Sequence, residues 1–330
     1  MSEFRVPRSR RRRLPRVVVG LLVLLSVIGY FAVQRASVGG GAPFCVASAD
    51  ASDRDGQSEK YEMSPEQAAN AATIAAVGIA KGLPDRAVTI ALATAMQESA
   101  LRNLDHGDRD SLGLFQQRPS MGWGTPEQIT DPVYSAGIFY DHLVDVPGYS
   151  RLPLTVAAQK VQRSGYPQAY AKHEPDATVL TAAFAGGGSL DCGGPAPTQP
   201  GDPEKVREGL VRIFGKDGMH TFGPQGGQAG QAGQAGRNGG GGRAVPEPEI
   251  TMVEKQEAGE AATRRSRAMA HWAVANSREM GIARVSYDLR GWVAGKDRGR
   301  WQDQGEADAK NGDGAPYGAA RGEVRIFMAR

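Results

Sequence analysis

A chain of 330 residues is long enough for two modest domains. Its formal charge of +3 misleads, because residues 1–16 hold seven Arg and one Glu, a net of +6, and the remainder carries −3. The basicity belongs to a tail, which argues against a nucleic-acid-binding surface.

After the tail comes an uncharged apolar run, residues 17–33. It is at the short limit for a membrane-spanning helix. Arg on its N-terminal side predicts a cytoplasmic tail of residues 1–16 and an extracellular bulk. The alternative is a cleaved signal peptide. The Gln34-Arg35-Ala36-Ser37 flank is a weak cleavage site, and Ala47-Ser48-Ala49 has the small-x-small pattern but lies far from the apolar core. Ala42-Pro43-Phe44-Cys45 is no lipobox. The expectation is therefore an uncleaved signal-anchor, single-pass in the cell membrane. An exported protein with two cysteines, Cys45 and Cys192, can pair them. The bridge would close a long loop and contribute up to about 5 kcal/mol. Two separate thiols are the alternative.

Residues 34–62 are polar and rich in Gly, Asp and Ser, and read as a tether. A helical domain, 63–222, then begins. Ser64 is the expected N-cap, Pro65 sits at the first helical position, and Gln67 completes a capping box. Gly82 stops that helix. A second helix, about 85–101, puts Val88, Ala91, Leu92, Ala95 and Ser99 on one face, with Glu98 on its flank. Asp131-Pro132 caps a third helix to about Val144, and further helices are expected at 153–163, 176–185 and 203–214. Residues 223–243, in which Gly-Gln-Ala repeats three times, read as a disordered linker. In the C-terminal unit, 244–330, a helix over 257–280 stops at Gly281. Short strands follow near 283–287, 290–293 and 323–328. The fold class expected is mainly α: a helical domain and a small α+β domain joined by the Gly/Gln/Ala-rich linker.

The chemistry gathers at Glu98-Ser99 and at Gly113-Leu114-Phe115-Gln116-Gln117. A carboxylate near the end of an Ala-rich helix, faced by a Gly-led apolar-then-amide segment, suits a one-carboxylate glycosidase. Such an enzyme needs an acid on the glycosidic oxygen as the bond breaks, and burial would raise the pKa of Glu98 toward that task. A solvated helix Glu is the plain alternative. Gln116 and Gln117 suit contacts to an N-acetyl group, or are strand-edge amides. Asp105 and Asp108 are candidate second carboxylates, although Asp and Gly are also what a turn uses. Trp123 on its loop, with Phe139 and Tyr140, suits a sugar cleft; a Trp sealing the domain is the alternative. The five His (106, 142, 173, 220, 271) show no zinc spacing, and neither a phosphate-binding loop motif nor a Gly-x-Ser-x-Gly elbow is present. No metal or cofactor is expected.

Residues 83–140 resemble the lysozyme-like superfamily, in its soluble lytic transglycosylase and goose-type lysozyme branch. The segments that carry the resemblance are 93–99 ending in Glu98-Ser99, 111–119 containing Gly113-Leu114-Phe115-Gln116, and 134–140. Phe115 stands where that family has Met. The resemblance implies that Glu98 is the catalytic acid and that Ser99, Gly113 to Gln117, Trp123, Tyr140 and Tyr170 contact or frame the substrate, the glycan strands of peptidoglycan. The family's Tyr-Asn-Ala-Gly segment, whose Tyr helps hold the acid, is absent. Tyr166 and Tyr170 are the nearest candidates, and no Asn follows. The C-terminal unit is similar to a cut-down D-alanyl-D-alanine peptidase-like domain, but its last strand, Glu323-Val324-Arg325-Ile326-Phe327, lacks the His-x-His of that group. Binding or docking is its expected role. The function this implies is a lytic transglycosylase, with a non-catalytic wall-binding or scaffold protein as the alternative.

Overall fold

A computed structural model describes residues 42–50, 58–216, 249–253, 259–303 and 322–330. The expected anchor at 17–33 and the repeat-bearing linker at 223–243 lie outside them. Among the described residues no helix is long and apolar enough to cross a membrane. The described chain combines helices with two antiparallel sheets.

Helix α1 (Pro65–Ala80) starts at the sequence-marked cap. Ser64 Oγ accepts from the Gln67 backbone N–H at 3.3 Å, and Gln67 Oε1 accepts from the Ser64 N–H at 2.9 Å. This reciprocal box satisfies two donors that a helix start leaves unpaired. Ala68, Ala71, Ala72, Ala75 and Ala76 are buried around most of its circumference, so α1 is a central helix rather than an amphipathic surface one. The helices α2 (Asp85–Ser99), α4 (Pro132–Val144), α6 (Glu174–Ala185), α7 (Pro203–Phe214) and α8 (Glu260–Ala275) all pack against it. Small side chains permit that crowding: a Cβ at Gly78 would lie 2.6 Å from the Tyr140 hydroxyl. The short α3 (Pro126–Ile129), capped by Thr125, and α5 (Leu154–Gln162) complete the helical part.

Two strands fall within the expected tether. β1 (Phe44–Ser48) pairs antiparallel with β2 (Lys60–Met63) and with β3 (Ser189–Gly193), in the order β2-β1-β3. Cys45 stands opposite Cys192 in that ladder, and the two form a disulfide. Residues 44–48 are therefore part of the folded body, because their hydrogen-bond partner arrives only with β3.

The C-terminal sheet runs β4 (Glu249–Val253), β8 (Glu323–Met328), β5 (Ile282–Tyr287), β6 (Arg290–Val293), β7 (Gln302–Asp303) in space, antiparallel throughout. The single long helix expected over 257–280 is interrupted at Asn276, whose side chain donates to the Trp272 carbonyl at 2.8 Å; a one-turn α9 (Ser277–Met280) follows and ends at Gly281. Local capping by an Asn amide competes with helix continuation. One side of α8 covers β5 and β8, and the other packs on α1 and α6.

The described residues from Pro43 onward form one compact unit. Three tryptophans stitch the C-terminal elements to the helical part. Trp272 Nε1 donates to Thr73 Oγ1 at 3.2 Å, Trp292 Nε1 to the Cys192 carbonyl at 3.2 Å, and Trp301 Nε1 to the Leu190 carbonyl at 2.9 Å. All three side chains are buried. Gly299, at φ 75°, lies so close that a Cβ there would overlap the Cys192 carbonyl. The backbone approach to the disulfide strand thus requires glycine.

Candidate active site

Glu98 is the penultimate residue of α2. The helix ends in an abrupt reversal, with Ala100 (φ 52°) and Leu101 (φ 61°) both left-handed. Such conformations cost a non-glycine residue about 1 kcal/mol or more and persist only where neighbours hold them. Here α1 does so: Gln67 Nε2 donates to the Ala100 carbonyl at 2.9 Å and buried Asn70 Nδ2 to the Leu101 carbonyl at 2.8 Å. The Leu101 side chain is buried beneath the turn. The reversal draws residues 111–118 back onto the helix end. Ser99 Oγ donates to the Leu114 carbonyl at 2.8 Å, and Leu112 bridges Gln117 through both backbone hydrogen bonds.

Within that segment most of the expected contact residues are structural. Leu114 and Phe115 are fully buried, and the Phe115 ring stacks on Phe139 with centroids 4.6 Å apart. Gly113, at φ 73°, could carry a Cβ only 2.5 Å from the Ile129 carbonyl, so its glycine serves close packing. Buried Gln117 donates to the Ser135 carbonyl at 3.0 Å. Gln116, half-buried at φ 47°, turns its amide toward the His106 and Gly113 carbonyls, each at 3.3 Å. Tyr140, expected at the sugar cleft, is fully buried and donates to the Ile74 carbonyl at 3.0 Å. These side chains build the wall from behind; the surface they leave to a ligand is backbone. Trp123 is half-buried, packs against exposed His142 with ring centroids 4.5 Å apart, and its carbonyl accepts from Tyr134 Oη.

The half-buried Glu98 carboxyl is met by Tyr170. The phenol donates to Glu98 Oε1 at 2.6 Å. Tyr166, the other candidate, is 79% exposed. Beside it, Gln162 Nε2 donates to the Phe115 carbonyl at 2.7 Å. Burial raises the pKa of Glu98, and the hydrogen bond from Tyr170 pulls it partly back. The carboxyl is thus biased toward its protonated form yet equipped to carry charge. Burial and then the Glu98 charge push the Tyr170 phenol upward, so it stays a donor. Ser164 Oγ accepts the Tyr166 backbone N–H at 3.2 Å. One residue along α2, Gln97 Oε1 lies 3.2 Å from His173 Nε2, so the 3-10 turn Ala169–His173 is tied to the helix at two adjacent positions.

The acidic loop presents three carboxylates in different settings. Asp105 and Asp108 are exposed, and Asp105 sits 2.7 Å from His106 Nδ1, which holds its carboxyl below the usual range. Asp110 is the one built into the fold: Ser120 N–H and Arg118 Nε both donate to it, at 2.9 and 2.7 Å. Contacts from Ser120 and then Arg118 keep it well below the carboxylate range.

Gln162 and Asn70 are polar residues of this neighbourhood that the sequence does not mark: each is a single amide on an Ala-rich helix with no motif around it, and its role appears only when a partner distant in sequence is placed beside it. Gln67 is marked only as the capping-box partner of Ser64, and its second bond, to the Ala100 carbonyl, is not. Among the described residues no group of three or more His, Cys, Asp or Glu side chains is arranged to hold a metal ion. A groove lined by Ile79, Asp85, Gly186, Arg264 and Arg267 lies at the α1–α8 seam, apart from Glu98; Arg264 there is engaged with Asp85 at 2.6 Å and with the Leu83 carbonyl at 2.9 Å. No protein-family model matches this chain, and no curated protein matches it.

Proposed function

We propose that the chain is a membrane-anchored, outward-facing lytic transglycosylase with a lysozyme-like helical part, cleaving the β-1,4 bond between N-acetylmuramic acid and N-acetylglucosamine in peptidoglycan. The observation that carries this reading is Glu98: a half-buried carboxyl with raised pKa, held by Tyr170 at 2.6 Å at the end of a helix whose exit is braced by α1. A general acid works best with a pKa near the operating pH, and burial moves Glu98 in that direction. The Cys45–Cys192 disulfide supports an oxidising compartment outside the cytoplasm.

In the proposed reaction the Glu98 proton goes to the glycosidic oxygen as the C1–O bond breaks, releasing the N-acetylglucosamine hydroxyl. The C6 hydroxyl of the muramic acid residue then attacks C1. Its proton passes to the Glu98 carboxylate, which restores the acid and leaves a 1,6-anhydro end. Tyr170 steadies the carboxylate between the two transfers. No water is consumed, so a second carboxylate to activate water is not required, in keeping with the exposed setting of Asp105 and Asp108. The two ends are distinguishable by mass, because hydrolysis adds a water that the anhydro ring lacks. Incubating sacculi with the purified full chain and reading muropeptides by mass spectrometry tests the reading. Anhydro ends support it, reducing ends would make the protein a hydrolase, and bound sacculi without products would make it a wall-binding protein.

A further inference from the structure

Tyr166 is a large aromatic side chain left 79% exposed. A single exposed aromatic is ordinary on a protein surface; the mounting of this one is not. Its loop leaves α5 through Arg163, which is left-handed at φ 50°, and is fastened along its length. Gln159 Nε2 donates to the Ser164 carbonyl at 2.8 Å, and the Thr155 hydroxyl donates to the Pro167 carbonyl. Both polar groups of the Tyr166 backbone are engaged: its N–H donates to Ser164 Oγ at 3.2 Å, and its carbonyl accepts from the Ala169 N–H at 3.1 Å. The loop is a fixed mount, and the ring it holds outward contributes little to the core.

The mount stands at the Glu98 carboxyl. It begins after Gln162, whose amide is on the Phe115 carbonyl at 2.7 Å, and ends at Tyr170, whose phenol is on Glu98 at 2.6 Å. The hydrogen bond from Ala169 to Tyr166 closes a four-residue turn, which brings its two ends within about 7 Å, and Ala169 adjoins Tyr170. The Tyr166 backbone is thus one tight turn from the residue that touches the acid.

We propose that Tyr166 is a stacking platform for a pyranose ring of the glycan strand, gripping a sugar that flanks the bond Glu98 protonates. The inference rests on the reading of Glu98 as the acid of a glycan cleft. A pyranose presents a face of weakly positive C–H groups, while its equatorial hydroxyls stay in water. The face of an aromatic ring is the negative part of its quadrupole, so the two faces attract as apolar area leaves water. Tyrosine supplies that area with only two side-chain torsions to freeze, and a loop already ordered lowers the cost of binding further. Such a platform holds the strand and leaves the chemistry to Glu98.

The test uses the full chain and soluble, uncross-linked glycan strands. Binding is measured in the Glu98→Gln background, to keep the strands intact, with 13C-labelled tyrosine rings and Tyr166→Ala identifying the Tyr166 signal. The inference predicts that the Tyr166 ring signal shifts as strands are added. Tyr166→Ala should weaken strand binding up to about tenfold, and Tyr166→Trp should restore it. With Glu98 in place, Tyr166→Ala should raise KM by the same factor and keep kcat, whereas damage to the catalytic machinery would lower kcat. Should Tyr166→Ala not fold, Tyr166→Leu takes its place, keeping apolar bulk without the aromatic face. A ring signal that does not move, or an unchanged strand affinity in the folded variant, overturns the inference. A shifted ring signal in a protein whose wild type forms no products would instead overturn the reading of Glu98 as an acid and leave the platform in place.

Discussion

Acid should loosen the seam between the C-terminal helix and the helical part, and His271 is the group through which it acts. His271 lies on α8, 4% exposed, between the rings of Phe184 on α6 and Trp301, with centroids at 6.4 and 5.5 Å. Its Nδ1 has no partner among the described residues. Burial, with Arg267 and Arg290 adding repulsion, pushes its pKa down to about 3, against 6.5 for an ordinary His. The unfolded chain therefore binds a proton that the folded chain refuses, and the stabilisation present above pH 6.5 is lost as pH falls toward 3. Each pH unit inside that window is worth about 1.4 kcal/mol, so acidifying from pH 7 to pH 5 should lower stability by about 2 kcal/mol through this residue. His271→Gln offers a polar side chain that stays neutral at every pH in that window. Urea unfolding of wild type and variant at both pH values isolates the effect, since every other titrating group is shared. Wild type should lose about 2 kcal/mol more than His271→Gln; equal losses would refute the argument that a buried neutral imidazole sits at this seam.

Other consequences follow from single contacts. Tyr170→Phe removes the donor to Glu98 at 2.6 Å, and digestion should fall tenfold or more, at about 1.5–3 kcal/mol for a hydrogen bond to a charged group. Its alkaline limb should move to higher pH, because the ionised carboxyl loses support; a fall with no movement of the limb would count against the contact. Trp272→Ala empties a buried site between α8 and α1 and should cost about 3–5 kcal/mol in chemical denaturation. If the C-terminal elements were an independent appendage, the unfolding of the helical part would not change. Reducing Cys45–Cys192, which spans a sequence separation of 147, should cost up to about 5 kcal/mol in the chain-entropy account. That loss is measured as a lower melting temperature after reduction, and Cys45→Ser should reproduce it.

The helix starts are the most legible part of the sequence, because a cap is a local device. Ser64, Asp131 and Asp202 each accept backbone N–H groups at a helix start, with Pro as the next residue. The strands at 282–287, 290–293 and 323–328 show in alternation, and the Cys45–Cys192 pairing in the cysteine count. β1 and β2 are hidden, since five residues of modest alternation in a polar stretch gain meaning only from β3, well over a hundred residues later. The α8 break at Asn276 is hidden for a different reason: the Asn276 amide donates to the Trp272 carbonyl, a local contact that the apolar pattern does not announce. At the site, the motif around Gly113 to Gln117 marks a place in the fold more clearly than a set of ligand contacts, because packing and ligand contact draw on the same residue types. Leu114, Phe115 and Tyr140 are spent on the core. Tyr166 and Tyr170 are indistinguishable by sequence, and only the 3-10 turn at Ala169–His173 selects which one faces Glu98.

The central claim is that Glu98 is an acid with a task and not a solvated helix residue. The most direct measurement compares the purified full chain with its Glu98→Gln variant on sacculi, scoring soluble muropeptides and sacculus binding side by side. The account predicts anhydro-muropeptides from the wild type, none from Glu98→Gln, and equal binding by both. Equal product yield from the two proteins would contradict it, as would a wild type that binds sacculi and releases nothing.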